Sequence, residues 1–164
     1  MVFYMQTDHQ ETTYKQLSSK GFKPQQTLLA RKTVVVKEEG KKYVLDVQSK
    51  FPSVVFQVDG DIIKTGLKCD KLILVNTRNT PTEEWVQIFV ELKGTDVIHG
   101  MKQLLESVKN PIFASLSNKQ RKARLVATSF PSNKSNPKVE ELKREFAKQK
   151  VDYRGMKPNQ EDRL

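Results

Sequence analysis

Cysteine is nearly absent from this chain of 164 residues. Cys69 stands alone, which excludes an internal disulfide. With only two histidines, His9 and His99, it also excludes a zinc-finger ligand set. No apolar run approaches the roughly 20 residues that a membrane-spanning helix needs. The opening MVFYMQTDHQ has neither a basic region nor an extended apolar one, so no secretory signal is read there. These absences lead to the expectation of a soluble, cytoplasmic protein with no membrane partner. No glycine-rich phosphate loop appears either, which argues against an NTP-driven motor. Acidic residues are outnumbered, with 19 Asp and Glu against 29 Lys and Arg, a formal charge of +10. That excess favours a polyanionic partner, through phosphate neutralisation and release of counterions. The length suits one domain.

Residues 8–20 have helical character, with Gly21 as a stop. The next forty residues are rich in β-branched and apolar clusters: Leu28 and Leu29, Val34 to Val36, Tyr43 to Val47, and Phe51 to Val58. Glu39-Gly40 and Asp59-Gly60 read as turns between strands. Further on, strands are expected over 70–76 and 85–92. A helix over 96–109 is capped by Thr95 or Asp96, followed by a strand over 123–130 and a helix over 138–149. The helix over 96–109 carries one apolar stripe: Val97, Met101, Leu104 and Val108, with Ile98 and Leu105 beside it. Residues 1–152 read as a single domain and 153–164 as a polar, loose tail. The fold class expected is α/β (α+β): a mixed central β-sheet flanked by helices, with extra strands in the N-terminal half.

The stretch IFVELKG, residues 88–94, is where chemistry enters. Alternation along a strand puts Val86, Ile88, Val90 and Leu92 on one face, and Trp85, Phe89, Glu91 and Lys93 on the other. A carboxylate and an ammonium on so apolar a strand need compensation. If 70–76 and 85–92 pair as antiparallel neighbours, Asp70 falls beside Glu91 and Lys93. Two carboxylates and a lysine at one sheet end are what metal-assisted phosphodiester hydrolysis requires. The carboxylates hold Mg²⁺, which lowers the pKa of an attacking water, and the lysine orients that water or stabilises phosphate charge. The plainer alternative is a strand-end ion pair with Asp70 as a turn residue.

Asp70 in LKCD, followed by Glu91-Leu92-Lys93 in VELK, resembles the PD-(D/E)XK nuclease superfamily, whose fold is called restriction-endonuclease-like. Cys69 stands where that family has proline. The family's core order of helix, three strands, helix, strand maps onto 10–19, a strand within 51–64, 70–76, 85–92, 96–109 and 123–130. Residues 23–50 have no place in it. The stretch from Glu11 to Gly21-Phe22 resembles the opening of Holliday-junction resolvases.

The resemblance implies an Mg²⁺-dependent endonuclease, with Mn²⁺ able to substitute, acting on DNA rather than RNA and leaving 5′-phosphate ends. Asp70 and Glu91 would be metal ligands, Glu11 a further acid on the first helix, and Lys93 the catalytic lysine. Gln103 matches a glutamine that some members use on the helix after the lysine strand, with Lys102 next to it. Ser107 stands where the exonuclease branch has tyrosine, so exonuclease polarity is not carried over. In that fold the basic run Lys119, Arg121, Lys122 and Arg124 would flank the cleft and grip phosphate. Members commonly act as homodimers, which is the oligomer expected. The rival reading is a catalytically inactive nucleic-acid-binding or assembly module on the same fold.

Overall fold

A computed structural model describes residues 11–131 and 136–164. The first part of the expected N-terminal helix, with His9, lies outside them. The rest of that stretch forms α1, Thr13–Ser19, which the Thr12 hydroxyl caps by accepting from the Lys15 N–H. Among the described residues nine strands come next in chain order: β1 Gln26–Ala30, β2 Thr33–Glu38, β3 Lys41–Asp46, β4 Pro52–Gln57, β5 Lys71–Arg78, β6 Glu84–Leu92, β7 Asn118–Val126, β8 Asp152–Met156 and β9 Glu161–Arg163. Helix α2, Val97–Lys109, joins β6 to β7, and α3, Pro137–Lys148, joins β7 to β8.

A six-stranded mixed sheet in the order β1-β4-β5-β6-β7-β8 forms the centre. Strands β4, β5 and β6 pair antiparallel, whereas β6, β7 and β8 run parallel. Both faces of this sheet are covered. Leu17 of α1, Met101 and Leu104 of α2, and Leu142 and Phe146 of α3 pack with Leu72, Leu74 and Phe89 on one face. On the other, Val34, Val36, Tyr43 and Leu45 pack against Ile73, Val75, Ile88 and Val90. That second cover is a separate three-stranded sheet, β2-β3-β9. Double coverage explains why LILV and WVQIFV are nearly continuous apolar runs.

The mixed architecture flanked by helices is as expected, and residues 23–50 find their place as β1 and the β2–β3 hairpin. Its turn is the expected Glu39-Gly40, with φ of +46° and +77°, and two such residues suit a two-residue hairpin of matching twist. Asp59-Gly60 does begin a turn, Gly60 lying at φ +81°. The connection it opens nevertheless runs on to Asp70 before β5 starts.

Two expectations are corrected. The chain from 153 onward is no loose tail: β8 pairs in parallel with β7, and β9 pairs in parallel with β3. Strand β7 also starts at Asn118 rather than 123, because KQRKAR supplies long aliphatic stems and backbone that pair with β6 as well as any apolar run would.

Candidate active site at the end of the central sheet

Strand β5 sets Lys71 opposite Val90 of β6, and one further step along that register places Asp70 opposite Glu91. The pairing is tightened from both sides. The Asp70 N–H donates to the Val90 carbonyl (3.1 Å), and the Leu92 N–H donates to Asp70 Oδ2 (2.9 Å). Alternation does the rest: Phe89 and Glu91 face the helices, as Leu72 and Leu74 do. Lys93 comes next on the same face, its Nζ 3.8 Å from Glu91 Oε2. The Lys93 backbone is held by donation to the Val126 carbonyl (2.8 Å). Asp70, Glu91 and Lys93 are therefore brought together.

The electrostatics of the pair are unfavourable as it stands. Glu91 is 2% exposed, and its Oε1 is buried without a hydrogen-bond partner. Burial, and after it the charge of Asp70, pushes the Glu91 carboxyl up to about 8, against the opposing pull of Lys93. Burial also raises Asp70; the Leu92 N–H opposes this, while the charges of Glu38 and Asp59 add to it. An uncompensated buried carboxylate is costly, and a bound cation is one of the few things that relieve it.

Several neighbours complete the site. Gln103 on α2 donates from Nε2 to the Lys68 carbonyl (3.1 Å), and its Oε1 is likewise buried without a partner. The Ser107 hydroxyl accepts from the Cys69 N–H (2.9 Å). Lys68 Nζ stands 3.7 Å from Asp59 Oδ1. Lys71 is almost wholly buried on the opposite face, paired to Glu38 Oε2 at 3.1 Å and donating to Gln25 and Gln57. Asp59, Lys68 and Lys71 were not singled out from the sequence as site residues, and Ser107 was noted only where the exonuclease branch has tyrosine. Asp59 read as turn chemistry, and nothing local connects it to a carboxylate eleven residues on. Cys69 is a buried free thiol, and burial pushes its pKa up.

Five expected participants are placed elsewhere or spent. Glu11 is exposed ahead of α1, and its carbonyl accepts from Ser115 Oγ (2.6 Å). That position is at the Trp85 end of β6, since the Trp85 N–H donates to the Ser117 carbonyl. Six strand residues, roughly 20 Å, separate it from Glu91, so Glu11 does not join the carboxylate pair. Lys119 is exposed near that same far end, because β7 runs parallel to β6 with Trp85 opposite Asn118. The Arg121 guanidinium donates to Gln87 Oε1 and to the Val108 and Gln149 carbonyls. Lys122 is buried, which pushes its pKa down.

Arg124 is fully buried. Its guanidinium pairs with Asp162 Oδ2 (2.7 Å) and Asp152 Oδ2 (3.0 Å), so it holds the structure rather than a phosphate. The basic run thus does not flank the carboxylates. Of the expected polar contacts, Gln103 lies at the site and Lys102 is exposed beside it on α2.

No protein-family model, curated protein or solved structure matches the chain. The site must be judged on its own chemistry. Among the described residues no group of three or more His, Cys, Asp or Glu side chains is placed to hold a metal ion. The donor set is instead two carboxylates, with the second oxygen of each free of the Leu92 and Lys93 contacts. That set fits Mg²⁺, which keeps several waters and takes one or two carboxylates. No helix among the described residues is long and apolar enough to cross a membrane.

Proposed function

We propose that the chain is a metal-dependent endonuclease that hydrolyses phosphodiester bonds in nucleic acid, DNA in preference to RNA. One observation carries the reading. Glu91, buried opposite Asp70, keeps an unpartnered oxygen, with the Lys93 ammonium on the same face. The run of helix α1, strands β4, β5 and β6, helix α2 and strand β7, with β7 parallel to β6, supports the restriction-endonuclease-like arrangement that the motif implies.

Asp70 and Glu91 would hold Mg²⁺, for which Mn²⁺ substitutes. The ion supplies neutralisation of phosphate charge and a lowered pKa for bound water. Lys93 directs its ammonium at the attacking water and at the charge that develops on the phosphate. Its aliphatic stem is seated against α2 beside Gly100, which limits its rotamers. Gln103 ties the loop before Asp70 to α2 through the Lys68 carbonyl, keeping the acid in register with Glu91. In the reaction, water adds to phosphorus, the bond to the 3′ oxygen breaks, and the product carries a 5′-phosphate. Cutting both strands of a duplex needs two such sites, so the reading includes a homodimer on its substrate.

A second reading keeps the fold and drops the chemistry. It is favoured by the Asp70–Leu92 bond and the Glu91–Lys93 pair, which give both carboxylates a structural partner. The two readings separate on cleavage of labelled duplex, four-way junction, flap, single-stranded DNA and RNA, with Mg²⁺, Mn²⁺ or EDTA. Metal-dependent cutting that Lys93→Ala abolishes is the expected outcome. Salt-sensitive binding with no cutting of any substrate would give the site to the binding module, and cutting that survives Lys93→Ala would dismiss the proposed active site.

A further inference from the structure

The central sheet has two outer strands, β1 and β8, and an outer strand presents unpaired backbone groups to any other chain. Most such edges here are guarded. At β1 the Arg31 guanidinium donates to the Thr27 carbonyl (2.6 Å) and more weakly to the Leu29 carbonyl (3.4 Å). At β2, an outer strand of the small sheet, the Gln26 amide donates to the Val35 carbonyl (2.8 Å), and β9 is only three residues long. Strand β8 carries no such guard. The Met156 carbonyl accepts from the Ala127 N–H (2.9 Å) on the β7 side. Backbone groups alternate sides along a strand, so Asp152 and Arg154 also turn theirs towards β7, while Tyr153 and Gly155 turn theirs outward. Among the described residues nothing pairs with those outward groups.

The side chains at this edge leave room for a neighbour. A hollow of about 460 Å³ lies between β8 and α3, with Lys143, Phe146 and Ala147 on one side and Tyr153 on the other. Tyr153 is half-buried, and its ring stacks on Phe146 at a centroid distance of 4.8 Å. Asp152 and Arg154 face the small sheet, where their side chains stay 60% and 58% exposed although they meet Arg124 and Asp162.

We infer that β8 is the surface through which two copies of this chain pair, antiparallel, so that their six-stranded sheets become one. The side chains select the register. A two-fold axis perpendicular to the sheet keeps the helices of both copies on one face, so the pairing must be centred on a residue and not between two. Centred on Asp152 it opposes two aspartates, and centred on Arg154 two arginines, and like charges directly opposite cost stability. Centred on Tyr153 it sets Asp152 opposite Arg154 twice and brings two tyrosine rings together. In that register the two Tyr153 residues exchange both outward hydrogen bonds, and the Asp152–Arg154 contacts fall at the closer, non-hydrogen-bonded positions.

This interface supplies the second site that cutting both strands needs, and its purpose, though not its evidence, rests on the proposed nuclease reading. Glu91 lies in one row across the sheet with Leu125 and Gly155. Pairing about Tyr153 therefore sets the two Glu91 residues about 25 Å apart, on the same face of the joined sheet.

The test uses the full chain in EDTA without nucleic acid. Sedimentation of the wild type is expected to give twice the 18.9 kDa of one chain. The alpha-carbons of the two Tyr153 residues would stand about 5.5 Å apart, within reach of a disulfide. Those of the two Arg154 residues would stand about 8 Å apart, beyond it. Under mild oxidation Tyr153→Cys is expected to run as a covalent dimer that a thiol reductant collapses, and Arg154→Cys as a single chain. The wild type, whose one cysteine is the buried Cys69, should not cross-link. A wild type of single-chain mass at every concentration would overturn the inference, whatever the stability of the variants. With both variants shown to be folded by thermal melting, cross-linking at Arg154 instead of Tyr153 would overturn the register, and cross-linking at neither would overturn the interface. A dimer joined at Tyr153 that cuts nothing would sink the nuclease reading alone, and a monomer that cuts would sink this inference alone.

Discussion

Glu91 shows how a single side chain carries a testable cost. Burial and the neighbouring Asp70 raise its carboxyl from 4.5 in the unfolded chain to about 8 in the fold. Between those values the native state retains a proton that the unfolded chain has released. Stability therefore falls as pH rises from 4.5 towards 8, and levels off above. Glutamine has the same shape and never ionises. Denaturant unfolding in EDTA is expected to show Glu91→Gln close to wild type below pH 4.5 and more stable than wild type above pH 8. A variant less stable than wild type above pH 8 would mean that the Lys93 pair outweighs desolvation. The same variant tests the proposed function in the opposite direction: if Glu91 holds Mg²⁺ as proposed, Glu91→Gln is expected to abolish metal-dependent cutting while the protein becomes more robust. That combination separates a site residue from a structural one. Glu91 could be picked out from the sequence because a charge on the helix-facing side of an otherwise apolar strand has few explanations. Glu11, ahead of a short helix with nothing to fix its direction, had no comparable constraint.

Helix α2 is the element that positions the site. Asp96 caps it by accepting from the His99 N–H, and its apolar stripe of Val97, Met101, Leu104 and Val108 packs on the central sheet as its spacing requires. It comes closest at Gly100, where an added Cβ would lie 2.7 Å from Leu125 Cδ1 and 3.0 Å from Lys93 Cγ. Alanine there gains about 1 kcal/mol of helix propensity. The Leu125 methyl and the Lys93 stem must both give way, at a cost of about 1–3 kcal/mol for an overpacked contact. Gly100→Ala is thus expected to destabilise modestly, by thermal melting, and to cut cleavage more than its stability loss accounts for, because Lys93 is displaced. Full activity in that variant would show that the lysine needs no such seat. Strand β7 gives the contrasting case: its basic first half, KQRKAR, looks like a loop because strand formation there depends on β6 beside it rather than on its own residues.

Across the whole molecule, the two sheets are joined by a buried ionic node around Asp162. Asp162 on β9 is 1% exposed. It accepts from the Tyr43 hydroxyl (2.6 Å) on β3 and from Arg124 Nε (2.7 Å) on β7, with Arg154 on β8 at 3.3 Å. Burial alone would raise its pKa, but the Tyr43 hydroxyl and the Arg124 guanidinium outweigh this and hold the carboxyl below its usual range. Its contribution is therefore present at neutral pH and is lost as pH falls through that depressed value. Removing one partner of a buried pair leaves the other uncompensated. Asp162→Asn should cost about 3–5 kcal/mol in urea unfolding, with hydrogen exchange quickening in β2 and β3 before β5 and β6, because only side chains tie the smaller sheet to the larger. Uniform quickening would show that the layers open as one unit.

Local pattern was enough for the mixed architecture, the Glu39-Gly40 turn, helix α2, and the convergence of Asp70, Glu91 and Lys93. Each depends on period-2 or period-3.6 alternation, on a cap, or on two strands close in sequence pairing antiparallel. The direction of Arg124, the distance of Glu11, the docking of β9 and the burial of Lys71 against Glu38 were decided by tertiary structure alone. They depend on which distant segment covers a face, and a polar residue reads alike in sequence whether its partner is solvent, a phosphate or Asp162 from the far end of the chain.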